Sequence, residues 1–511
     1  MTAAGAPSPT PPLGPGAPTP AIALPDPASA APHLAGSAVA VPDAVLARLT
    51  DACASVSTDA AVRAESSRDW WPLGMVWALD NEVAGLAGVV CRPSSAGEVA
   101  AVAAICNDAR VPLTAAGGRS GVLGGSVPVC GGVVVDLCGL AGIRGVDGVS
   151  MVLDVAAGTF GDHLEAQLRA EHGATVGHWP QSMSLATVGG WLACRGAGQL
   201  SGRYGKIEDI VLGLDVVLAD GRAITTGGVP RQAVGPDLTQ LFVGSEGTLG
   251  IITGARLRLH PAPGAEARTA WGFPDIDTAI DAMRATVQRG ATPAVLRLYD
   301  AAESARTYGT TGDTCILLAL DEGDATLVET MIGIVESESA ARGAERLDDS
   351  LLDHWLDRRN DVAALEQLIS GGLVVDTMEV TGLWSDLGEI YRAVIEAIGS
   401  VPGTLAASAH QSHSYPEGGC MYFTFAAKTP PEERTSYHRQ VWAAATEAAL
   451  AHRASLSHHH GVGLNRSRFV TEALGGAFDV LVAAKAALDP NGILNPSKLG
   501  LPSPFGPPPE W

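Results

Sequence analysis

Ala116-Gly117-Gly118-Arg119-Ser120-Gly121 is the stretch from which the fold is read. It closes a short apolar run, residues 111–115, that predicts a strand. Glycines at such a turn permit positive φ and bring backbone N–H groups close to a ligand, as a bound pyrophosphate requires. The spacing is not G-x-G-x-x-G, and no helix of the dinucleotide-binding type opens behind it.

Short apolar runs and helical periodicity alternate on either side. Residues 88–91, 132–137, 152–156 and 211–218 predict strands, and 95–109 and 160–171 predict helices. A second region repeats the texture, with strands at 269–273, 314–321, 374–379 and 419–425. Its helices fall at 276–289, 325–342 and 431–451, and a last helix spans 473–488. The class is α+β. Residues 1–42 hold eleven prolines among small residues and predict a disordered tail. An N-terminal helical segment follows at 43–85, with Asp43 opening a helix and Trp70-Trp71 in a loop against the body. The ligand-binding domain is set at 86–262, a cap domain at 263–470 and a C-terminal helix and tail at 471–511.

Lys plus Arg is 33 against 55 Asp plus Glu, a formal charge of −22. Such a surface repels phosphate backbones and anionic lipid, so no nucleic-acid partner is expected. The eight cysteines form no C-x-x-C pair and read as reduced thiols. No apolar stretch reaches the roughly 20 residues of a membrane helix. No Lys or Arg precedes Arg48, as the charged region of a signal peptide would need, so the expected compartment is the cytoplasm. A small-molecule substrate and a homodimer are the partners considered.

Three more segments extend the first loop. Pro180-Gln181-Ser182 leads through Ser184 to Thr187-Val188-Gly189-Gly190, then Cys194-Arg195-Gly196-Ala197-Gly198. Downstream stands Gly244-Ser245-Glu246-Gly247-Thr248-Leu249-Gly250-Ile251-Ile252. In order and spacing these resemble the PCMH-type FAD-binding domain of the vanillyl-alcohol oxidase superfamily. Asp489-Pro490-Asn491-Gly492-Ile493-Leu494-Asn495-Pro496 is similar to the tail of its FAD-linked oxidases. The resemblance implies a two-subdomain FAD domain, an α/β cap, and a C-terminal tail returning to the FAD domain. It implies FAD contacts from Ala115, Ala116, Gly117, Gly118, Arg119 and Ser120, and from Gln181, Ser182, Ser184 and Thr187. Cys194, Arg195, Gly196 and Ala197 join them, as do Glu246, Gly247, Thr248, Leu249, Gly250, Ile251 and Ile252. Ala116 stands where relatives have a third glycine. The first loop offers Arg119 and no histidine for covalent attachment, so FAD is expected to be non-covalent.

Ser457-His458-His459-His460-Gly461-Val462-Gly463 is the most unusual segment. On a regular strand side chains alternate, so only His458 and His460 would share a face, and no metal is assigned. With Gly177-His178, Gly189-Gly190-Trp191, Tyr204-Gly205 and Ile207-Glu208-Asp209, the run resembles the alkyldihydroxyacetonephosphate synthase branch. That branch replaces acyl by alkyl through a flavin N5 adduct, without net redox change, in ether-lipid synthesis. Its tyrosine context matches Gly418-Gly419-Cys420-Met421-Tyr422-Phe423, making Tyr422 the candidate acid/base, and its Arg-Leu-x-Asp matches Arg297-Leu298-Tyr299-Asp300. Where the branch has a phosphate-gripping arginine, this chain has Ala409-His410-Gln411-Ser412-His413. Histidine suits proton transfer better than phosphate capture. The expected activity is therefore FAD-dependent oxidation of a small hydroxylated substrate, with the synthase reaction as alternative. The catalytic candidates are Tyr422, His410, His458, His459 and His460, with Arg297 and His413 on the substrate side.

Overall fold

The computed structural model describes residues 5, 13–34, 38–507 and 509–511. Four strands build the first subdomain, in the order Ser55–Ser57, Val89–Arg92, Val133–Asp136, Leu113–Ala116, the last three parallel. The valines of the three parallel strands are buried on both sides, as a parallel sheet under helices requires. The helix Ala96–Ala109 covers one face, capped by Ser95 accepting from Glu98 N–H. The second subdomain is a five-stranded antiparallel sheet centred on Ile251–Arg258, which pairs with both Val211–Val217 and Val152–Ala156.

The cap is a seven-stranded antiparallel sheet. Its long strands Val374–Leu383, Gly418–Ala427 and Thr404–Ser414 lie side by side and carry most of the candidate site. The helices Leu387–Ser400 and Arg434–Ala451 bury Ile390, Val394, Val441 and Trp442 in the same cap core as the strand residues Met378 and Phe423. The C-terminal segment returns to the FAD domain, where Leu113 N–H donates to Ile493 O at 2.8 Å.

Three expectations change. The helix expected at 473–488 breaks at Gly475-Gly476 into Val470–Leu474 and Ala477–Leu488, because Gly475 takes φ +52. The helix expected at 160–171 stays α over Gly161–Gln167 and widens to a π turn at Leu168–His172. The stretch read as a tail, 1–42, packs along its described part. Ile22 and Leu24 are buried with Trp70, Met75 and Val76, while Leu34 is buried against Trp71 and Trp77. Prolines restrict the unfolded backbone and so reduce the entropy lost on docking, and residues two apart on an extended chain face the same way. Gly14 N–H donates to Asp162 Oδ2 at 2.6 Å, so this strap reaches the glycine loops.

Candidate functional site

The first loop and the segment before Thr187 touch backbone to backbone. A Cβ on Gly117 would stand 2.3 Å from Thr187 Oγ1, and one on Gly118 only 1.9 Å from Leu185 O. Only glycine fits there. The N–H groups of Gly117, Gly118, Arg119 and Ser120 meet no acceptor among the described residues. Four free donors in one turn fit a pyrophosphate. Arg119, Arg195 and Glu246 hold φ of 58°, 60° and 50°, one left-handed non-glycine in each of three flavin segments. Such clustering of unusual backbone is a property of functional sites. We expect Gly118→Ala to force the two loops apart, at about 1–3 kcal/mol, and to yield protein with little or no yellow colour. Full flavin content by absorbance would refute the cradle.

Several side chains in these segments are engaged by the protein itself. Thr187 Oγ1 caps the helix Val188–Cys194 by accepting from Gly190 N–H. Ser182 O accepts from Leu185 and Ala186 N–H, and Ser184 lies against Gly14 of the strap. Gln181 Nε2 donates to Asp361 O at 3.0 Å. Arg195 pairs with Gln240. Cys194 Sγ donates to Trp191 O, and burial pushes its thiol up to about 12, so it is no nucleophile at neutral pH. Leu249, Ile251 and Ile252 are buried in apolar cores, leaving only their backbone for a ligand. His178 is fully buried beside Trp191, and burial pulls it down to about 3.

The histidine run is a loop rather than a strand, which overturns the alternation expected of it. Glu379 Oε1 accepts from the N–H groups of His458, His459 and His460 at 3.1, 3.0 and 2.9 Å, and from the Ser457 hydroxyl at 2.7 Å. Its other oxygen pairs with Arg466 at 2.6 Å, both side chains fully buried. Burial alone would raise the Glu379 carboxyl, but Arg466 and the imidazole of His460 outweigh it and hold it well below the ordinary range. Glu246, expected among the flavin contacts, accepts from Val462 and Gly463 N–H with its carboxylate. One carboxylate from each domain therefore fixes this loop, and all three imidazoles point into one region.

That region brings together every catalytic candidate. Tyr422 stacks on His410 with centroids 4.6 Å apart and meets His460 edge-on at 5.4 Å. His413 lies 4.7 Å from His458 and 5.1 Å from His459. Their nitrogens are not equally free. Arg297 donates to His410 Nε2 at 2.8 Å, and His410 Nδ1–H donates to Glu303 at 3.1 Å. His410 is thus a fixed neutral tautomer with no nitrogen left to accept a proton, which corrects its expected role. Burial, seconded by Arg297, pulls it down to about 4. Arg297 also donates to the Tyr299 hydroxyl, so it braces the site. Tyr422 donates its hydroxyl to Thr377 at 3.0 Å. His460 Nδ1 lies 3.1 Å from Glu379 Oε2, short of hydrogen-bond alignment, and is a buried nitrogen without a hydrogen-bond partner among the described residues.

Glu379, Arg466 and Tyr415 escaped the sequence reading, as did Ser201 and Lys206, whose Nζ donates to His458 O at 2.7 Å. One signal was present: Glu379 is an acid in the otherwise apolar run Met378–Val380 of a buried strand.

Residues 87–227 match the FAD binding domain family, and residues 262–499 match the FAD linked oxidases, C-terminal domain. The chain is 34% identical to the FAD-linked oxidoreductase YgcU of Escherichia coli K12 over 402 residues, 75% of this chain and 82% of that one. The chain belongs to the FAD-linked oxidase family. This FAD-linked oxidoreductase is 28% identical to the alkyldihydroxyacetonephosphate synthase of Dictyostelium discoideum, over 82% of its own length and 74% of the relative's. A solved alkyldihydroxyacetonephosphate synthase superposes with a TM-score of 0.75 at 23% identity, covering 91% of this chain and 86% of that one. The likeness establishes the vanillyl-alcohol oxidase fold for this flavoenzyme. Among its described residues no helix is long and apolar enough to cross a membrane.

Proposed function

We propose that the enzyme oxidises a small hydroxylated substrate beside non-covalently held FAD, with His460 as the proton acceptor. The observation carrying this is the placement of His460, with Nδ1 3.1 Å from the buried Glu379 carboxylate and its ring edge-on to Tyr422. The buried Glu379 carboxylate, 3.1 Å from Nδ1, lies close enough to stabilise by its charge the imidazolium formed when a hydroxyl proton arrives. The residues that would hold FAD are the four free amides at 117–120 and the glycine segments around them. Bound flavin supplies the two-electron acceptor. The remaining steps belong to the chain: His460 Nε2 takes the hydroxyl proton, Tyr422 and His410 wall the substrate, and Arg297 fixes His410. Non-covalent attachment is supported by Arg119 in the first loop and by the engaged, protonated thiol of Cys194.

Anaerobic addition of small hydroxylated compounds tests the reaction, since a true substrate bleaches the visible flavin band. Acid precipitation tests the attachment and should leave intact FAD in the supernatant; colour retained by the pellet would overturn it. The retained Tyr422 and histidine run favour a second reading, the synthase-type exchange of acyl for alkyl in ether-lipid synthesis. That reaction consumes its substrate yet leaves the flavin oxidised. At the place of the branch's arginine this chain has Ala409-His410-Gln411-Ser412-His413, where His410 is already bonded at both nitrogens and offers no grip on a phosphate.

A further inference from the structure

We infer that His413, His458 and His459 form a binding site for one divalent transition-metal ion, separate from the proton acceptor His460. One ring nitrogen from each lies within 4.8 Å of the other two, the one such group of His, Cys, Asp or Glu among the described residues. His413 and His458 are buried and His459 half-buried. His458 Nδ1 and His459 Nδ1 face each other at 2.8 Å. Two imidazole nitrogens at that distance need a proton or a cation between them. Three imidazoles on one ion at about 2.0–2.1 Å would require small ring rotations from this arrangement.

The outer partners support the same assignment. Histidines that bind metals commonly engage the far ring nitrogen in a hydrogen bond, which fixes tautomer and orientation. Ser201 Oγ holds His413 Nδ1 at 2.6 Å, and the Tyr415 hydroxyl holds His458 Nε2 at 2.6 Å. Both bonds leave the opposite nitrogen turned toward the cluster. The backbone under His458 and His459 is itself fixed by Glu379, so the donors need little ordering on binding. An all-imidazole set selects Zn2+, Co2+ or Ni2+ over the oxygen-seeking Mg2+ and Ca2+. Three protein donors leave a fourth position open.

The site is read without substrate, so its failure would leave the redox proposal standing. Untagged, chelator-washed, FAD-loaded enzyme should take up one Zn2+ per chain in equilibrium dialysis. Co2+ in its place should give the visible bands of a tetrahedral ion at wavelengths beyond the flavin. His413→Ala should abolish both signals with the flavin spectrum retained. Ser201→Ala, which keeps all three ligands, should weaken binding about 10- to 100-fold. Uptake well below one ion per chain by the parent enzyme overturns the site, as does uptake unaffected by His413→Ala and Ser201→Ala.

Discussion

Glu379→Gln is expected to lower the stability of the folded chain by about 3–5 kcal/mol. The side chain sits fully buried against the equally buried Arg466, so neutralising it leaves a guanidinium without its counter-charge. Three backbone N–H groups and the Ser457 hydroxyl also converge on one of its oxygens. An amide places an NH2 donor where the carboxylate had an acceptor, and a surrounding of donors cannot satisfy it. Denaturant titration of the FAD-loaded protein should show an earlier midpoint with an unchanged slope. A midpoint equal to the parent's would mean that Arg466 is adequately held by its other contacts, the Gly461 carbonyl and Ser457 hydroxyl.

The second large effect falls on turnover. His460→Gln should reduce kcat by about 10²–10⁴-fold on a substrate found by flavin bleaching, with the visible spectrum of the resting enzyme unchanged. The ring meets Glu379, Tyr422 and His459, none of them in a glycine segment, so cofactor content should hold. Tyr422→Phe should cost less, because the tyrosine hydroxyl already donates to Thr377 and the ring, which stacks on His410, is kept. Stopped-flow reduction separates the two variants. Equal losses would move the proton acceptor to Tyr422, and parental rates in both would remove these residues from the chemistry.

Local signals made the FAD domain legible. The valine run at 133–135 and the Ser95 cap depend on neighbours within a few residues, and the glycine loops advertise their backbone needs directly. The strand Thr404–Ser414 was missed because Thr-Leu-Ala-Ala-Ser-Ala lacks the β-branched or aromatic alternation that marks a strand. It is held instead by long strands on its flank, a tertiary cause invisible locally. The histidine run was misjudged for a related reason. Its conformation is imposed by Glu379, some eighty residues earlier, and by Glu246, farther still. The strap misled through composition, since two apolar side chains, Ile22 and Leu24, outweigh the prolines around them once Trp70 is there to receive them.

The double anchoring of the loop at 457–463 bears on how such enzymes diversify. Glu246 belongs to the FAD domain, whereas Glu379 belongs to the cap. A recombinant that exchanges caps between two relatives inherits a working loop only if the recipient presents a carboxylate at the place of Glu246. New specificities can then arise by drift of the cap's pocket residues, while wholesale shuffling of caps is restricted to parents sharing that one acid.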